Sequence, residues 1–284
     1  MNRPPNNEPD ERGAEELAGL FPAGGHEFQM RMRRRSIAEY FRASPRAGSV
    51  LNERRRWLRE DLARCFAFRP EAEALAVEAC ELLEAAAAPI STAAAPVDPG
   101  ERFLDVSRRL EPDLALLRPD SAGDFMMVAG AVCFPSSWSL TGKLGRSIAE
   151  IHAPVPTLNE QLGPSISQFL RRMTPGIAWC RENWGLSASP ELNQHPARAL
   201  PRLTSDATIE DVWLRVERQA LVALPDTGGV LFAIRVEVSP LRQVVVHPGC
   251  RAGLRRALET MPEPVSVYKG LGVVRDRLVE LLRH

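Results

Sequence analysis

Two stretches near the C-terminus alternate apolar and polar residues with the period of two that is typical of a half-buried β-strand. The stretches are 212–222 and 230–238, and the residues between them, 224–229, include a proline, an aspartate and two glycines. This order predicts an antiparallel hairpin, and a third strand at 243–247 would extend its sheet. The apolar side of the first stretch consists of Val212, Leu214, Val216, Ala220 and Val222.

Other segments follow the helical period of 3.6. Trp57, Leu58, Leu62 and Phe66 fall on one face of a predicted helix. The apolar run 125–134 is short and is stopped by a proline, so it predicts a buried strand. Helices beside an antiparallel sheet predict an α+β protein. Further helices are predicted at 71–87, 143–152, 158–173 and 273–282, with a loop at 88–100.

The size and composition allow one large domain in 284 residues. Residues 1–25 are rich in proline and polar residues and predict a mobile tail, so a single domain is expected over 26–284, helical to about residue 100. Equal numbers of basic and acidic residues, 36 of each, give no long-range attraction to nucleic acid or to an acidic membrane. The chain has no apolar leader or membrane-length apolar window, and we therefore expect a cytoplasmic protein with neither partner.

Several familiar enzyme signatures do not occur in the sequence. Lys143 is not preceded by a phosphate-binding glycine loop, and the G-L-G at 270–272 does not follow a predicted strand. There is no G-x-S-x-G sequence, and neither the five histidines nor the five cysteines show zinc-ligand spacing. No self-sufficient catalytic motif can therefore be named from the residues alone.

One unusual stretch remains, 134–156, which holds the segment F-P-S-S-W-S-L followed by K-L-G and I-H-A-P-V-P. Leu144, Ile148 and Ile151 form an apolar stripe on the predicted helix 143–152, and His152 points into the same apolar space. Such a histidine is either a core or capping residue or a neutral imidazole that ligates a metal or haem iron.

This stretch and two later motifs resemble the family of haem-dependent oxidative N-demethylases, alpha-subunit type. The first later motif is R-E-N-W at 181–184. The second is L-R-V-E-R-Q-A-L at 214–221, followed by L-P-D-T-G at 224–228. The resemblance extends from about Phe28 to Leu282.

The resemblance implies a PAS-like antiparallel sheet flanked by helices that holds a b-type haem. It implies an oxygenase component that removes a methyl group from a small secondary amine with O2. Electrons would come from separate reductase subunits that carry flavin and iron–sulfur centres and use NADPH. A second class of function remains open, a haem-binding PAS-like sensor or ligand-binding protein without turnover.

With the resemblance in place, His152 is the expected axial ligand of the haem iron, and Cys133 and Cys180 are the alternative donors. Haem propionates need cations, and guanidinium groups pair well with carboxylates. Each candidate cation has an alternative role in a structural salt bridge. The candidate cations are Lys143, Arg181, Arg215 and Arg218.

Glu217 lies on the polar side of the strand 212–222 and is the candidate catalytic residue. A small amine is cationic at neutral pH, so a partly buried carboxylate could orient it. The alternative is an internal ion pair of Glu217 with Arg215 or Arg235. Four tryptophans could contact the haem or pack in the core: Trp138, Trp179, Trp184 and Trp213.

Overall fold

The protein is described by a computed structural model over residues 17–86 and 97–283. These residues form an α+β fold with one antiparallel sheet of seven strands in the order β1-β5-β6-β7-β3-β4-β2. The strands are β1 (Arg33–Arg35), β2 (Phe66–Phe68), β3 (Asp113–Pro119), β4 (Phe125–Ala131), β5 (Ala178–Ser187), β6 (Trp213–Leu224) and β7 (Gly229–Pro240).

Twelve α-helices accompany the sheet in the described ranges, and none of them is both long and apolar enough to cross a bilayer. The first six are α1 (Ile37–Phe41), α2 (Ala47–Glu60), α3 (Leu62–Cys65), α4 (Glu73–Ala86), α5 (Pro99–Ser107) and α6 (Leu140–Lys143). The others are α7 (Ile148–His152), α8 (Leu158–Arg171), α9 (Leu241–Val244), α10 (Pro248–Thr260), α11 (Glu263–Tyr268) and α12 (Arg275–Leu281).

The predicted hairpin is confirmed as β6 and β7, which pair in unbroken register from Trp213 opposite Pro240 to Leu224 opposite Gly229. Alternation along β6 divides its side chains between two faces of the sheet. We call the face that carries Arg215 and Glu217 the front face, and the face that carries Arg218 and Ala220 the back face. Both faces are covered, so the sheet lies inside the domain.

Two helical groups cover the back face. Helices α4 and α5 pack on the small side chains of its middle strands, among them Ala220 and Ala233, which are fully buried. The C-terminal helices α10 to α12 pack on Leu214, Val216 and Trp184 at the other end of the same face. The predicted helices 71–87 and 273–282 correspond to α4 and α12 and are confirmed.

Helices α7 and α8 cover part of the front face. Ile148, Ile151 and Phe169 pack in one cluster with the sheet residues Trp179 and Phe232. The predicted helix 158–173 is confirmed as α8 and the predicted strand 125–134 as β4. This packing brings the residue after Ile151, which is His152, to the front of the sheet.

The predicted helix 143–152 is wrong, because it is two short helices separated by a break. Helix α6 ends at Lys143, and Gly145 adopts a left-handed backbone with φ of 76° and donates its N–H to Met127 O at 2.7 Å. Ser147 then begins α7 with a capping box to Glu150. The apolar residues at 144, 148 and 151 therefore do not form a stripe on one helix.

The predicted third strand at 243–247 is also wrong. Pro240 ends β7, and the next residues form α9, in which Leu241 and Val244 are both fully buried against the C-terminal helices. Two buried residues three positions apart suit a helical turn. The apolar run at 243–247 is too short for its periodicity to distinguish a helix from a strand. Similarly, α2 ends at Glu60 and Phe66 already belongs to β2, so the predicted helix through 66 is too long.

The predicted mobile tail, 1–25, is described only from residue 17. In the described part Phe21 is buried, and its ring meets that of Trp184 edge-on at 5.3 Å between centroids. A Cβ added at Gly253 would come within 2.8 Å of the Cβ of Phe21, so this segment is closely packed on α10. Residues 17–25 are therefore part of the folded domain, and the remainder of the predicted tail lies outside the described residues. The predicted loop 88–100 is described only from 97, and α5 begins there at Pro99.

Candidate functional site

A serine hydroxyl joins two of the predicted site residues on the front face. Ser136 Oγ donates to Glu217 Oε1 at 2.5 Å and accepts from Arg215 Nε at 2.6 Å. The second carboxylate oxygen of Glu217 accepts from Gln219 Nε2 at 2.9 Å. Arg215 and Glu217 are thus linked through Ser136, and Glu217 is held by neutral donors at both oxygens.

Arg215 is buried, and its remaining donors reach main-chain oxygens. Nη2 donates to Phe134 O at 2.6 Å and Nη1 to Glu191 O at 3.3 Å. Burial lowers the pKa of Arg215 to about 10, and the charge of Glu217 opposes this change. The guanidinium therefore remains charged at neutral pH and ties the segment around Ser136 to β6.

The segment that carries Ser136 is fixed from behind by a buried ion pair. Asp113, at the start of β3, accepts the N–H groups of Cys133 and Phe134 at 2.8 and 2.9 Å. Arg54 of α2, which is fully buried, donates to Asp113 at 2.9 Å and lies over the ring of Phe134. Because breaking such a pair leaves a buried charge unpaired, it holds this turn firmly.

His152 is the last residue of α7. Its Nδ1 atom is buried and has no hydrogen-bond partner among the described residues. Burial and the nearby charges of Lys143 and Arg181 lower the pKa of His152 to about 4. The imidazole is therefore neutral at physiological pH, which is the form that can ligate a metal.

Cations outnumber carboxylates around Glu217. Lys143, Arg181, Arg215 and Lys269 are each partly or fully buried, burial lowers the pKa of each, and the charge of Glu217 acts on all of them in the opposite direction. Lys143 also lies over the ring of Trp138, 4.4 Å from its centroid. A cluster of buried cations that shares one carboxylate favours an anionic ligand.

Arg218 is the predicted site residue that the structure does not bring to this cluster. It lies on the back face, where its Nε donates to Glu237 at 2.9 Å and its Nη1 is 4.0 Å from Glu182. Arg235 is on the same back face and donates to main-chain oxygens of Tyr40 and Arg42. The alternative of a Glu217–Arg235 ion pair is therefore wrong.

Neither of the two alternative thiol donors belongs to the apolar cluster that contains Ile151, the neighbour of His152. Cys180 is on the back face, and burial raises the pKa of its thiol to about 11. Cys133 is fully buried, and a hydrogen bond to Cys65 together with burial raises its pKa well above the ordinary value. Both groups are therefore protonated thiols in the metal-free protein, and each would have to lose its proton before it could bind iron.

Three residues that the sequence reasoning did not assign contribute to the site: Ser136, Gln219 and Lys269. Ser136 and Gln219 lie within the quoted motifs. Lys269 follows α11, donates from Nζ to Trp184 O at 2.7 Å and lies over the Trp184 ring. A signal for it existed, because the chain has only two lysines and both, Lys143 and Lys269, are at this site.

The family comparison agrees with the motifs. The model of the family described as haem-dependent oxidative N-demethylase, alpha subunit-like, matches residues 29–279. The chain belongs to this family. The match includes every residue of the cluster described above.

The residues of this family member fit a haem. His152 supplies a neutral imidazole with an unpartnered buried nitrogen, and Trp179 Nε1 is likewise buried without a partner in the described part of the chain. The excess of cations suits two propionates. In the same described residues no group of three or more His, Cys, Asp or Glu side chains could hold a bare metal ion.

Proposed function

We propose that this chain is the haem-binding oxygenase component that removes a methyl group from a small secondary amine, using O2 and electrons from a separate reductase. The observation that carries the proposal is the buried, unpartnered Nδ1 of His152 beside the cluster of cations that shares Glu217. The same proposal includes a PAS-like form for the sheet and its haem-binding front face.

In this proposal His152 would bind the haem iron, and Lys143 and Arg181 would pair with the propionates. These two cations are assigned because both act on the pKa of His152 and so lie near it. A bound b-type haem supplies O2 binding and electron transfer at its iron. Because burial already keeps His152 neutral, no proton must be removed before it can bind the iron.

Glu217 is proposed to bind the cationic amine. Ser136 and Gln219 fix its two oxygens, so the carboxylate is oriented before the amine arrives. Val236, directly opposite Glu217 on β7, is buried in an apolar cluster against which Trp138 packs, and this cluster limits water around the ion pair. The attraction between an ammonium group and this oriented carboxylate is stronger in a poorly hydrated place than it would be at the surface.

The test is the visible spectrum of the purified full chain, loaded with haem, compared with that of His152→Ala. We expect the wild-type chain to bind one haem and the variant to lose haem or to show a shifted spectrum that free imidazole partly restores. The matched control is His247→Ala, which removes a histidine at the start of α10.

An unchanged haem content and an unchanged ferrous–CO spectrum in His152→Ala would end the assignment of the ligand. A wild-type chain that binds no haem would end the proposal itself. A chain that binds haem and a secondary amine but does not demethylate it with a competent reductase would favour the alternative role of a haem-binding sensor.

A further inference from the structure

A cavity of about 380 Å³ adjoins the segment that carries Ser136. Ser137 lines it, and the preceding residue, Ser136, binds Glu217. Tyr268 and Lys269 line it as well. Burial raises the pKa of Tyr268 and lowers that of Lys269, and the charge of Glu217 acts upward on both. The cavity is therefore within electrostatic reach of the proposed amine-binding carboxylate.

The position of Ser137 is well defined. Its N–H donates to Gln194 O at 3.1 Å, and Gln194 N–H donates to Pro135 O at 3.0 Å. Ser137 also adopts a left-handed backbone with φ of 59°, which is uncommon for a residue other than glycine. The segment that joins Ser136, the partner of Glu217, to the lining of the cavity is thus short and held on both sides.

The charges that line the cavity are positive. Its basic side chains are Lys269, Arg202 and His195, and none of the described residues that line it is acidic. Lys269 Nζ uses one of its three protons on Trp184 O, and no hydrogen bond or ion pair engages the Arg202 side chain within the described ranges. These two cations have donors left for an anion.

The cations at the site fall into two adjoining groups, because Arg181 acts on the pKa of His152 and also on that of Lys269. Lys143 and Arg181 act on His152, where the proposed haem would lie, whereas Lys269 and Arg202 line the cavity. The cavity volume of about 380 Å³ lies in the range of about 300–1,000 Å³ that is typical of ligand-binding cavities. It far exceeds the volume that a three-heavy-atom amine such as dimethylamine needs. The cavity has room and charge for a larger substrate with an anionic group.

We propose that the substrate is a secondary amine that also carries a carboxylate, an N-methyl amino acid, with its ammonium at Glu217 and its carboxylate at Lys269 and Arg202. This inference rests on the proposed function, because it names the substrate of the same site. The charges of the site complement those of an N-methyl amino acid. Both hydrogen bonds to the Glu217 carboxylate come from neutral groups, and no carboxylate is among the described residues that line the cavity with Lys269 and Arg202.

The first experiment measures binding by calorimetry to the haem-loaded full chain. The ligands are N-methylglycine, N-methyl-β-alanine and 4-(methylamino)butanoate, which place the carboxylate at increasing distance from the amine. N-methylpropylamine and butanoate are the matched compounds that lack one of the two charges. Charged hydrogen bonds contribute about 1.5–3 kcal/mol, so we expect the best N-methyl acid to bind roughly 10- to 100-fold more tightly than either.

Variants then assign the carboxylate to the cavity. Arg202→Gln and Lys269→Met should each remove the advantage of that N-methyl acid over N-methylpropylamine, and Arg202→Gln should leave the affinity for N-methylpropylamine unchanged. Arg202 is exposed, so its variant keeps the test valid even where Lys269→Met folds poorly. Arg172→Gln, at the exposed C-terminal end of α8, is the matched control and should change neither affinity.

Because the chain has only two lysines, acetylation followed by mass spectrometry gives a second readout. The N-methyl acid should protect Lys269, N-methylpropylamine should not, and the N-terminal amine should react equally in all samples. Equal protection by both amines would overturn the location of the carboxylate.

Three outcomes separate this inference from the function on which it rests. Equal affinities for N-methylpropylamine and all three N-methyl acids would overturn the inference and leave the demethylase proposal standing. Loss of haem in Arg202→Gln would also overturn it, since the cavity would then belong to the haem. Failure of every amine to bind a haem-loaded chain would overturn both.

Discussion

At the residue scale, the alternation of side chains along β6 decides which charged residues belong to the site. Arg215, Glu217 and Gln219 lie on the front face, and Arg218 lies on the back face because side chains alternate along β6. The alternation that predicts the strand also separates Arg218 from Glu217. The sequence therefore contained the information that excludes Arg218 from the cluster, and only the family motif, which includes both residues, suggested grouping them.

The position of Lys143 relative to His152 could not be read from the same pattern. The two residues were expected on one helix, whereas a left-handed glycine separates their helices. They nevertheless approach each other, because both helices pack in front of β4. As a consequence, the charge of Lys143 lowers the pKa of His152. Tertiary packing, not helical spacing, makes this pair.

Glu217→Gln should weaken the binding of a secondary amine by roughly tenfold or more, since the charge-assisted hydrogen bond is lost. Arg215 should remain in place, because it keeps its bonds to Ser136, Phe134 O and Glu191 O. Titration of the haem-loaded variant with dimethylamine measures the affinity, and its haem spectrum should stay that of the wild type. A parallel loss of amine affinity, stability and haem content would instead assign Glu217 a structural role.

Lys269 should make stability depend on pH in the alkaline range. Burial lowers its pKa to about 8 from an ordinary value of 10.5, so between these pH values the unfolded chain binds more protons than the folded protein. The free energy of unfolding should therefore rise with pH through this window, by up to roughly 3 kcal/mol. Urea unfolding of wild type and Lys269→Met from pH 7.5 to 10.5 measures the difference. Parallel pH dependences in the two proteins would contradict it.

At the element scale, β6 and β7 were predictable because their apolar and polar residues alternate regularly. The charged strand β5 was not. Strands β6 and β7 alternate cleanly, because one side of each meets a core of small residues. Strand β5 carries Arg181 and Glu182 on opposite faces, and both find charged partners in the fold. A strand whose polar residues occupy both faces has no period-two signal, so β5 was missed.

The turn after β4 depends on an element distant in sequence. Asp113 on β3 accepts two N–H groups of this turn and the guanidinium of Arg54 on α2. Asp113→Asn should lower the free energy of unfolding by roughly 3 kcal/mol, because Arg54 is fully buried and would lose its counter-charge. Urea unfolding measures this loss.

The control for that change is Asp276→Asn, whose side chain is 90% exposed and pairs with Arg275. Surface ion pairs contribute little, so this variant should stay within about 1 kcal/mol of the wild type. If the two variants were equally stable, Asp113 would not be the support of the Ser136 segment. A stable Asp113→Asn protein with weakened amine binding would show that the residue positions the site without stabilising the fold.

At the scale of the whole molecule, the site lies where separate cores meet. Its histidine comes with α7 from the core in front of the sheet, and Lys269 comes with the C-terminal helices that cover the back face. Strand β1 pairs only with Ala178–Cys180, so beyond this point the outer side of β5 is open to Lys269. Composition and periodicity predicted the class of fold and the hairpin, but this meeting of distant segments is a property of the packed chain and has no local sequence signal.

The last prediction concerns the electron supply of the whole molecule. Its sequence carries neither a dinucleotide-binding fingerprint nor a cysteine pattern for an iron–sulfur cluster. The haem-loaded chain alone should therefore leave NADPH unoxidised in the presence of O2 and a secondary amine. Formaldehyde should appear when a flavin- and iron–sulfur-containing reductase is added, in proportion to NADPH consumed above a no-amine control. His152→Ala with the same reductase should produce none, which separates turnover at this site from oxidation by the reductase itself. Steady NADPH consumption by the isolated chain would contradict the assignment of this protein as a component that receives its electrons from a partner.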